Sequence, residues 1–330
     1  MHRIFASLIL FCALSLCALQ PAAAVTMAWT PVGNPGNAPD PATGSLYGAV
    51  GYSYNIAKND VTYSQYVEFL NLKDPTGANT LNLYSGVGVG MGDPAFGGIN
   101  FTAGNADGSK YSVMPGDDNR PLAFPTFYDI VRFANWMNNG QGNADTEAGA
   151  YTLLHDGSPT PTATPSNAGS IMRSAGAVVF IPTENEWYKA AFYNPATGTY
   201  FQYATNSIIA PTAAGPPGGP NSANYNNAVG HVTDVGAYTL SPSPYGTFDQ
   251  AGNILQWTET PIDDTERVLR GSSYDSDSSG LLSSNRFGFP EDGERLNGFR
   301  LASTPEPSSL ILAAFGFVGF VVWGWRRRKQ

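Results

Sequence analysis

The chain has 330 residues, 42% of them apolar and 13% charged, with a formal net charge of −9. That apolar fraction excludes a disordered chain and suffices for one large packed domain. The acidic balance excludes nucleic acid as a partner, because such a surface repels polyanions.

His2 and Arg3 supply a positive start, Ile4 to Leu19 an apolar stretch, and Ala22, Ala23 and Ala24 a small-residue cleavage site. This is the pattern of a signal peptide over residues 1–24, addressed to the Sec translocon and signal peptidase. Cys17 raises a lipoprotein reading, but the bulky Leu16 stands where a small residue precedes a lipidated cysteine. Cys12 and Cys17, the two cysteines of the chain, both fall inside the signal, so the exported protein is expected to carry no thiol. Disulfides, thiolate metal sites and cysteine nucleophiles are thereby excluded.

Three helices are announced by a threonine followed three residues later by an amide or acid that can close a capping box. Thr62 to Gln65 opens the first, with Tyr66, Phe69 and Leu70 at helical spacing. Thr126 to Asp129 opens the second, with Ile130, Phe133, Ala134 and Met137 on one face. Thr183 to Glu186 opens the third, which continues through Trp187, Ala190 and Ala191. All three read as amphipathic. Strand candidates are Val178 to Ile181, Val232 to Tyr238, Arg267 to Leu269 and Phe299 to Leu301. The remainder is rich in turn-forming residues, with 37 Gly and 25 Pro overall, notably Gly86 to Gly108, Gly157 to Gly176 and Pro211 to Asn227. The pattern predicts one loop-rich α+β domain over residues 25–303 without internal repeats.

At the C-terminus, Thr304, Pro305, Glu306 and Pro307 precede an apolar run, 310–325, and then Arg326, Arg327, Arg328 and Lys329. Sixteen helical residues reach about 24 Å, enough to cross most of a ~30 Å hydrocarbon layer with snorkelling arginines at the end. The basic cluster should stay cytoplasmic, leaving the domain outside. The tail, 304–330, resembles the PEP-CTERM sorting signal, in which a Pro-Glu-Pro motif, a membrane helix and a basic end are recognised and cut by an exosortase. Export from a Gram-negative-type bacterium, transient anchoring through the membrane helix and release to the cell surface or extracellular matrix follow from that resemblance. Without its two addressing segments the domain holds 12 basic and 25 acidic residues, a surface that favours divalent cations.

Six blocks in order across about 250 residues carry a second resemblance. They are Tyr54 to Thr62 with Phe69-Leu70-Asn71; Arg120-Pro121 with Tyr128-Asp129 and Arg132 to Trp136; and Ile181 to Ala191. Gly252 to Trp257, Arg267 to Tyr274 and Gly298-Phe299-Arg300 complete the set. Together they resemble the formylglycine-generating enzyme, or sulfatase-modifying factor, family, whose fold is a decorated relative of the C-type lectins. In the oxidases of that family two cysteines bind copper and activate dioxygen. Their positions fall here at about Ser276 and Leu281, neither of which can replace a thiolate on copper. Another branch uses iron held by histidines. After signal removal only His155 and His231 remain, 76 residues apart and outside any helical His pair spacing. Neither copper nor iron is expected, and the two histidines read as solvated loop residues.

The family also carries structural calcium. The resemblance aligns Asn224 and the Tyr225 carbonyl, with Asp234 as a carboxylate, to one site, and the carbonyls of Gly252 and Ile254 to a second. Gln256 stands where the second site ends in Glu, which weakens it for a hard cation. Without calcium, Asn224 and Asn253 read as turn-forming amides. Glu184 and Glu186, two apart on a helix, point to different faces and do not make an acid/base pair. Asp263, Asp264, Asp275 and Asp277 read as solvated loop acids, with cation binding the lesser alternative, and Arg270 and Arg300 as internal ion-pair formers. Ser273 lies where the oxidase pocket is, with no base nearby in sequence. Trp257, Ser273, Tyr274, Ser276 and Phe287 are the expected lining of a remnant pocket, its rings a platform for a sugar. The expectation is an exported module that binds a surface polysaccharide or surface protein; the alternative is an oxidoreductase of the family using a different active site.

Overall fold

The computed structural model describes residues 24–86, 88–158 and 160–305. Ala24 and Pro305 stand exposed at its two ends; the rest of the signal segment, Glu306, Pro307 and the apolar run 310–325 lie outside the described residues. Among the described residues no helix is long and apolar enough to cross a membrane.

The three helices form where the capping pattern predicts them: α1, Tyr63–Lys73; α2, Phe127–Asn138; and α3, Glu184–Phe192. Each begins with a closed capping box. Thr62, Thr126 and Thr183 accept from the N–H groups of Gln65, Asp129 and Glu186, whose side chains accept in return from the threonine N–H. Four otherwise orphaned donors at each helix start are thus partly satisfied before tertiary contacts form. The amphipathic pattern translates into a solvent-facing side in α1 alone. Helix α2 is buried all round from Phe127 to Trp136, including Asp129, Arg132 and Asn135, and α3 is buried except at Asn185.

Two four-stranded sheets organise the rest. In the first, the order is Trp29–Val32, Tyr54–Ala57, Ala302–Ser303, Val179–Phe180, all antiparallel, so both ends of the domain meet in one sheet. In the second, Phe287–Pro290, Glu266–Arg270 and Leu255–Pro261 run antiparallel, and Asn297–Phe299 joins Leu255–Pro261 in parallel. The predicted strand from Phe299 to Leu301 is really the crossing between the two sheets. There Phe299 and Leu301 carbonyls accept from Val61 and Ala57. Val232 to Tyr238 is not a strand. Its alternating pattern is overridden because Asn253 accepts from Thr233 N–H, Asn119 from Val235 N–H, and Gly236 turns the chain at φ 71°.

The core lies between α1, α2 and the second sheet. Tyr66, Phe69, Phe133, Trp136 and Phe299 form one aromatic cluster with ring centroids 5.3 to 5.9 Å apart. Large rings bury area that short strands cannot supply. A second cluster gathers Trp187, Tyr188, Phe192, Tyr203 and Leu281 beside α3.

With so little regular structure, loop carbonyls need other partners, and buried guanidinium groups provide them. Arg270 pairs with Glu184 and donates to the carbonyls of Ser283 and Asn285. Arg300 donates to Asp60, Gln256 and the carbonyls of Ala57 and Phe248. Arg267 joins Glu291 to the carbonyls of Glu259 and Ile171. Glu186, besides capping α3, receives Arg173 at 2.7 Å, so both helix acids are spent on structure.

Candidate functional site

The strand Glu266–Arg270 ends in Gly271, at φ 98°, and Ser272, at φ 69°. A side chain at Gly271 would crowd Trp187 at 3.2 Å and be strained at this φ, so backbone above all, and space as well, favour glycine there. This left-handed pair turns the chain out of the sheet and delivers Ser273 to a cleft of about 170 Å³. Its lining joins Leu255 and Leu269 with Ser273, Asp275 and Ser276 and with Phe287, Phe289 and Arg295.

The polar wall is one hydrogen-bonded set. Ser273 Oγ donates to Asp275 Oδ1 and lies 3.0 Å from Ser276 Oγ. In the same lining Phe287 is 37% exposed, and the Arg295 guanidinium lies 6.0 Å from the centre of the Phe289 ring. The cleft therefore offers a carboxylate, two hydroxyls, a guanidinium and two rings in a small volume. It can grip a compact polar group with an apolar face. A serine whose hydroxyl bonds a carboxylate, with no imidazole in the lining, has no base of suitable strength to make it a nucleophile.

Of the five expected lining residues, Ser273, Ser276 and Phe287 meet in this cleft. Trp257 and Tyr274 do not. Trp257 is fully buried between Phe127 and Phe289 and donates Nε1–H to Pro125 O at 3.1 Å. Tyr274 is buried in the core, where burial, and secondarily Asp275, raises its phenol above the ordinary value. Asp275, Phe289 and Arg295 were not expected here. The alternation Phe287-Gly288-Phe289 was the available signal for Phe289, but Asp275 and Arg295 sit in polar runs that look like any solvated loop. Asp263 and Asp277 are such loop acids, each held below the usual carboxylate range by hydrogen bonds from the residues that follow.

The donor sets implied for metals fare unequally. Leu281 is buried beside Trp187, away from the cleft lining, so Ser276 has no second ligand and the residues do not fit copper. His155 bonds Glu147 at 2.9 Å and accepts from Thr162 N–H, while His231 lies against the Val232 carbonyl at 2.7 Å. Among the described residues no three His, Cys, Asp or Glu side chains are placed to share a metal ion. For calcium, the first set retains one suitable feature: Asn224 Oδ1 is buried without a hydrogen-bond partner, while its Nδ2 donates to His231 O and Asn253 Oδ1. The Tyr225 carbonyl accepts from Ala228, and Asp234 is exposed. The second set does not fit. The Gly252 carbonyl accepts from Ile254 N–H, and Gln256 is saturated by Trp187, Arg300, Asp60 and the Asp249 carbonyl. A guanidinium beside that amide fills the place of a cation.

Sequence comparison decides the lineage of this scaffold. A model described as the sulfatase-modifying factor enzyme 1-like domain matches residues 48–305. The chain belongs to the sulfatase-modifying factor family. A PEP-CTERM protein-sorting motif matches residues 303–329 and marks this family member for export and membrane processing. Hercynine oxygenase of Mycolicibacterium thermoresistibile is 35% identical over 89 residues, 27% of this chain and 18% of that protein. Its counterpart in Mycolicibacterium smegmatis is 32% identical over 89 residues, 27% of this chain and 19% of that protein. The chain thus spans less than a fifth of the length of these relatives. Among solved structures, Treponema denticola variable protein 1 superposes with a TM-score of 0.52 at 18% identity, covering 87% of this chain and 98% of its own. CarF gives 0.51 at 17% identity, covering 85% and 99%. These last two likenesses concern the fold alone.

Proposed function

We propose that this family member is an exported binding module whose family cleft holds a ligand instead of oxidising one. The mature protein runs from Val25 to near Thr304, after signal peptidase and exosortase have acted. It is deployed at the cell surface or in the matrix, where it binds a surface polysaccharide or surface protein. The supporting observation is the cleft's donor set: Ser273, Asp275, Ser276 and Arg295 between two phenylalanines, in a chain whose cysteines both precede residue 25. Those groups are suited to hydrogen bonding and ring stacking, and lack a soft ligand for a redox metal. The volume suits one side chain or one sugar ring of a larger polymer.

Calcium at the first set belongs to the same reading. Asn224 Oδ1, the Tyr225 carbonyl and Asp234 would hold it, and the ion would tie the 224–234 loop by charge neutralisation. The second set is not part of the proposal.

Retention of the exported protein on the purified cell-surface fraction of its producer tests the reading. Ser276→Trp fills the cleft from its half-exposed wall and should release the protein; retention unchanged by this substitution would remove the cleft from the account.

A further inference from the structure

A concavity larger than the Ser273 cleft lies elsewhere, between loop residues 77–86 with Gly92 and the hairpin of Ile99–Phe101 with Tyr111–Val113. Its volume is about 660 Å³, well inside the size range of small-molecule sites. The family motifs do not reach it, and the cleft at Ser273 shares no residue with it.

Three rings form its floor. Tyr84 and Tyr111 meet at 5.2 Å and 65°, and Phe101 lies 5.3 Å from Tyr111 and 6.1 Å from Tyr84. Tyr84 and Tyr111 are buried, but Phe101 is 39% exposed and offers ring surface to the groove. The floor is fixed from beneath. Tyr111 O–H donates to Asp74, Tyr84 O–H donates to the Ile99 carbonyl at 3.2 Å, and the Asn79 amide clamps the Tyr84 backbone at 2.7 and 3.1 Å. A floor held in this way loses little freedom when a ligand arrives.

Glycines keep the walls low. A Cβ at Gly77 would fall 2.5 Å from the Phe101 ring, one at Gly86 2.6 Å from the Tyr84 ring, and one at Gly92 2.3 Å from the Tyr84 oxygen. Gly86 and Gly92 do not have left-handed backbone, so at these two positions the missing side chain serves space and not conformation.

The rim carries Asn82, Ser85, Asn100 and Glu294. Burial raises the Glu294 carboxyl, and the polar side chains of Ser85 and Asn82 oppose the rise. No lysine, arginine or histidine lines the groove. Amides, a hydroxyl and a carboxylate can bond adjacent hydroxyl groups in pairs, while an exposed ring packs against the C–H face of a sugar. The lone negative charge and the absence of cations among the lining residues disfavour phosphate, sulfate and uronate.

We propose that this groove is a binding site for a neutral saccharide, seated on Phe101 and hydrogen-bonded by Asn82, Asn100 and Glu294. It deepens the binding reading at a second site and stands whether or not the Ser273 cleft is occupied. No calcium ligand is among its residues, so binding is independent of that ion.

Calorimetric titration of the exported protein in EDTA tests this, with cellotriose, mannotriose and N-acetylchitotriose as probes and an oligogalacturonate and a lysine-rich peptide as controls. A neutral trisaccharide should bind and both controls should not. Phe101→Ala and Glu294→Gln should each weaken binding about tenfold, with unchanged circular dichroism, and Ser276→Trp should leave it intact. Three results would overturn the proposal: no neutral trisaccharide binding, affinity indifferent to both groove variants, or loss of affinity in Ser276→Trp alone. The last would assign the saccharide to the Ser273 cleft; the first two would leave that cleft to its own retention test.

Discussion

The strand-rich half that closes the domain and the glycine-rich segment between residues 74 and 113 hold their loops by different means. In the first, Arg267, Arg270 and Arg300 are at most 1% exposed, and each reaches a carboxylate and at least two backbone carbonyls. The segment 74–113 contains no arginine; its loops are held mainly by Asp74, Asn79 and three aromatic rings, with Lys110 alone donating to the carbonyls of Ala103 and Asn105. Loops tied through guanidinium groups fill their own interior, down to the amide of Gln256. Loops held by rings and small residues leave a wide groove. The family motifs thus mark the half that is closed, and the space for a ligand is larger where no motif lies.

Removing a guanidinium should break this comparison most severely. In Arg300→Met, Asp60 and the carbonyls of Ala57, Lys58 and Phe248 lose their donor in a fully buried place. The expected loss is about 3–5 kcal/mol, because three carbonyls and the Asp60 carboxyl, which burial raises to about 8 even beside Arg300, are left buried without their donor. Urea unfolding measures it, and a loss below about 1 kcal/mol would mean that the guanidinium staples are not what holds this half.

A buried acid in the same half gives a pH-dependent handle. Burial pushes Asp249 up from 3.8 to about 6, against the opposing Gly236 N–H and Arg300. The native state therefore keeps a proton that the unfolded chain has already released. The stability this group contributes is complete below about pH 4 and is lost as pH rises through 6. Asp249→Asn should flatten that component, so the stability difference between variant and parent should grow in favour of the variant by about 2–3 kcal/mol from pH 4 to pH 8. Melting temperatures across that range check it; a difference that stays constant would show that Asp249 does not change its proton on unfolding.

The helix caps should matter less. Thr183→Val removes the hydroxyl that accepts from Glu186 N–H but leaves Glu186 held by Arg173. A loss of about 1 kcal/mol is expected in chemical denaturation. A cost as large as that of Arg300→Met would show that local capping and guanidinium ties weigh equally.

Much of the frame was legible because its signals are local. The three capping boxes predict α1, α2 and α3 from a threonine and one residue three places on, and all three close. Strands depend on distant partners and were read less well. Val232 to Tyr238 has strand-like composition, yet its N–H groups are taken by Asn253 and Asn119. Ser273 and Ser276 were found through the motif that precedes them. Trp257 and Tyr274 were misplaced because nearness to a motif does not say which face of the chain is buried. Asp275 and Arg295 gave no signal, since only the turn at Gly271 and Ser272 makes an ordinary polar loop into the wall of a cleft.

Dioxygen uptake by the exported protein tests the central claim most directly. After incubation with copper or iron and removal of excess metal, a cysteine peptide is added and oxygen is followed at an electrode. With Ser276 and the buried Leu281 at the cysteine positions, no metal-dependent uptake above the peptide's own oxidation should occur. Stoichiometric metal retention with catalytic uptake and formation of a peptide aldehyde would contradict the account.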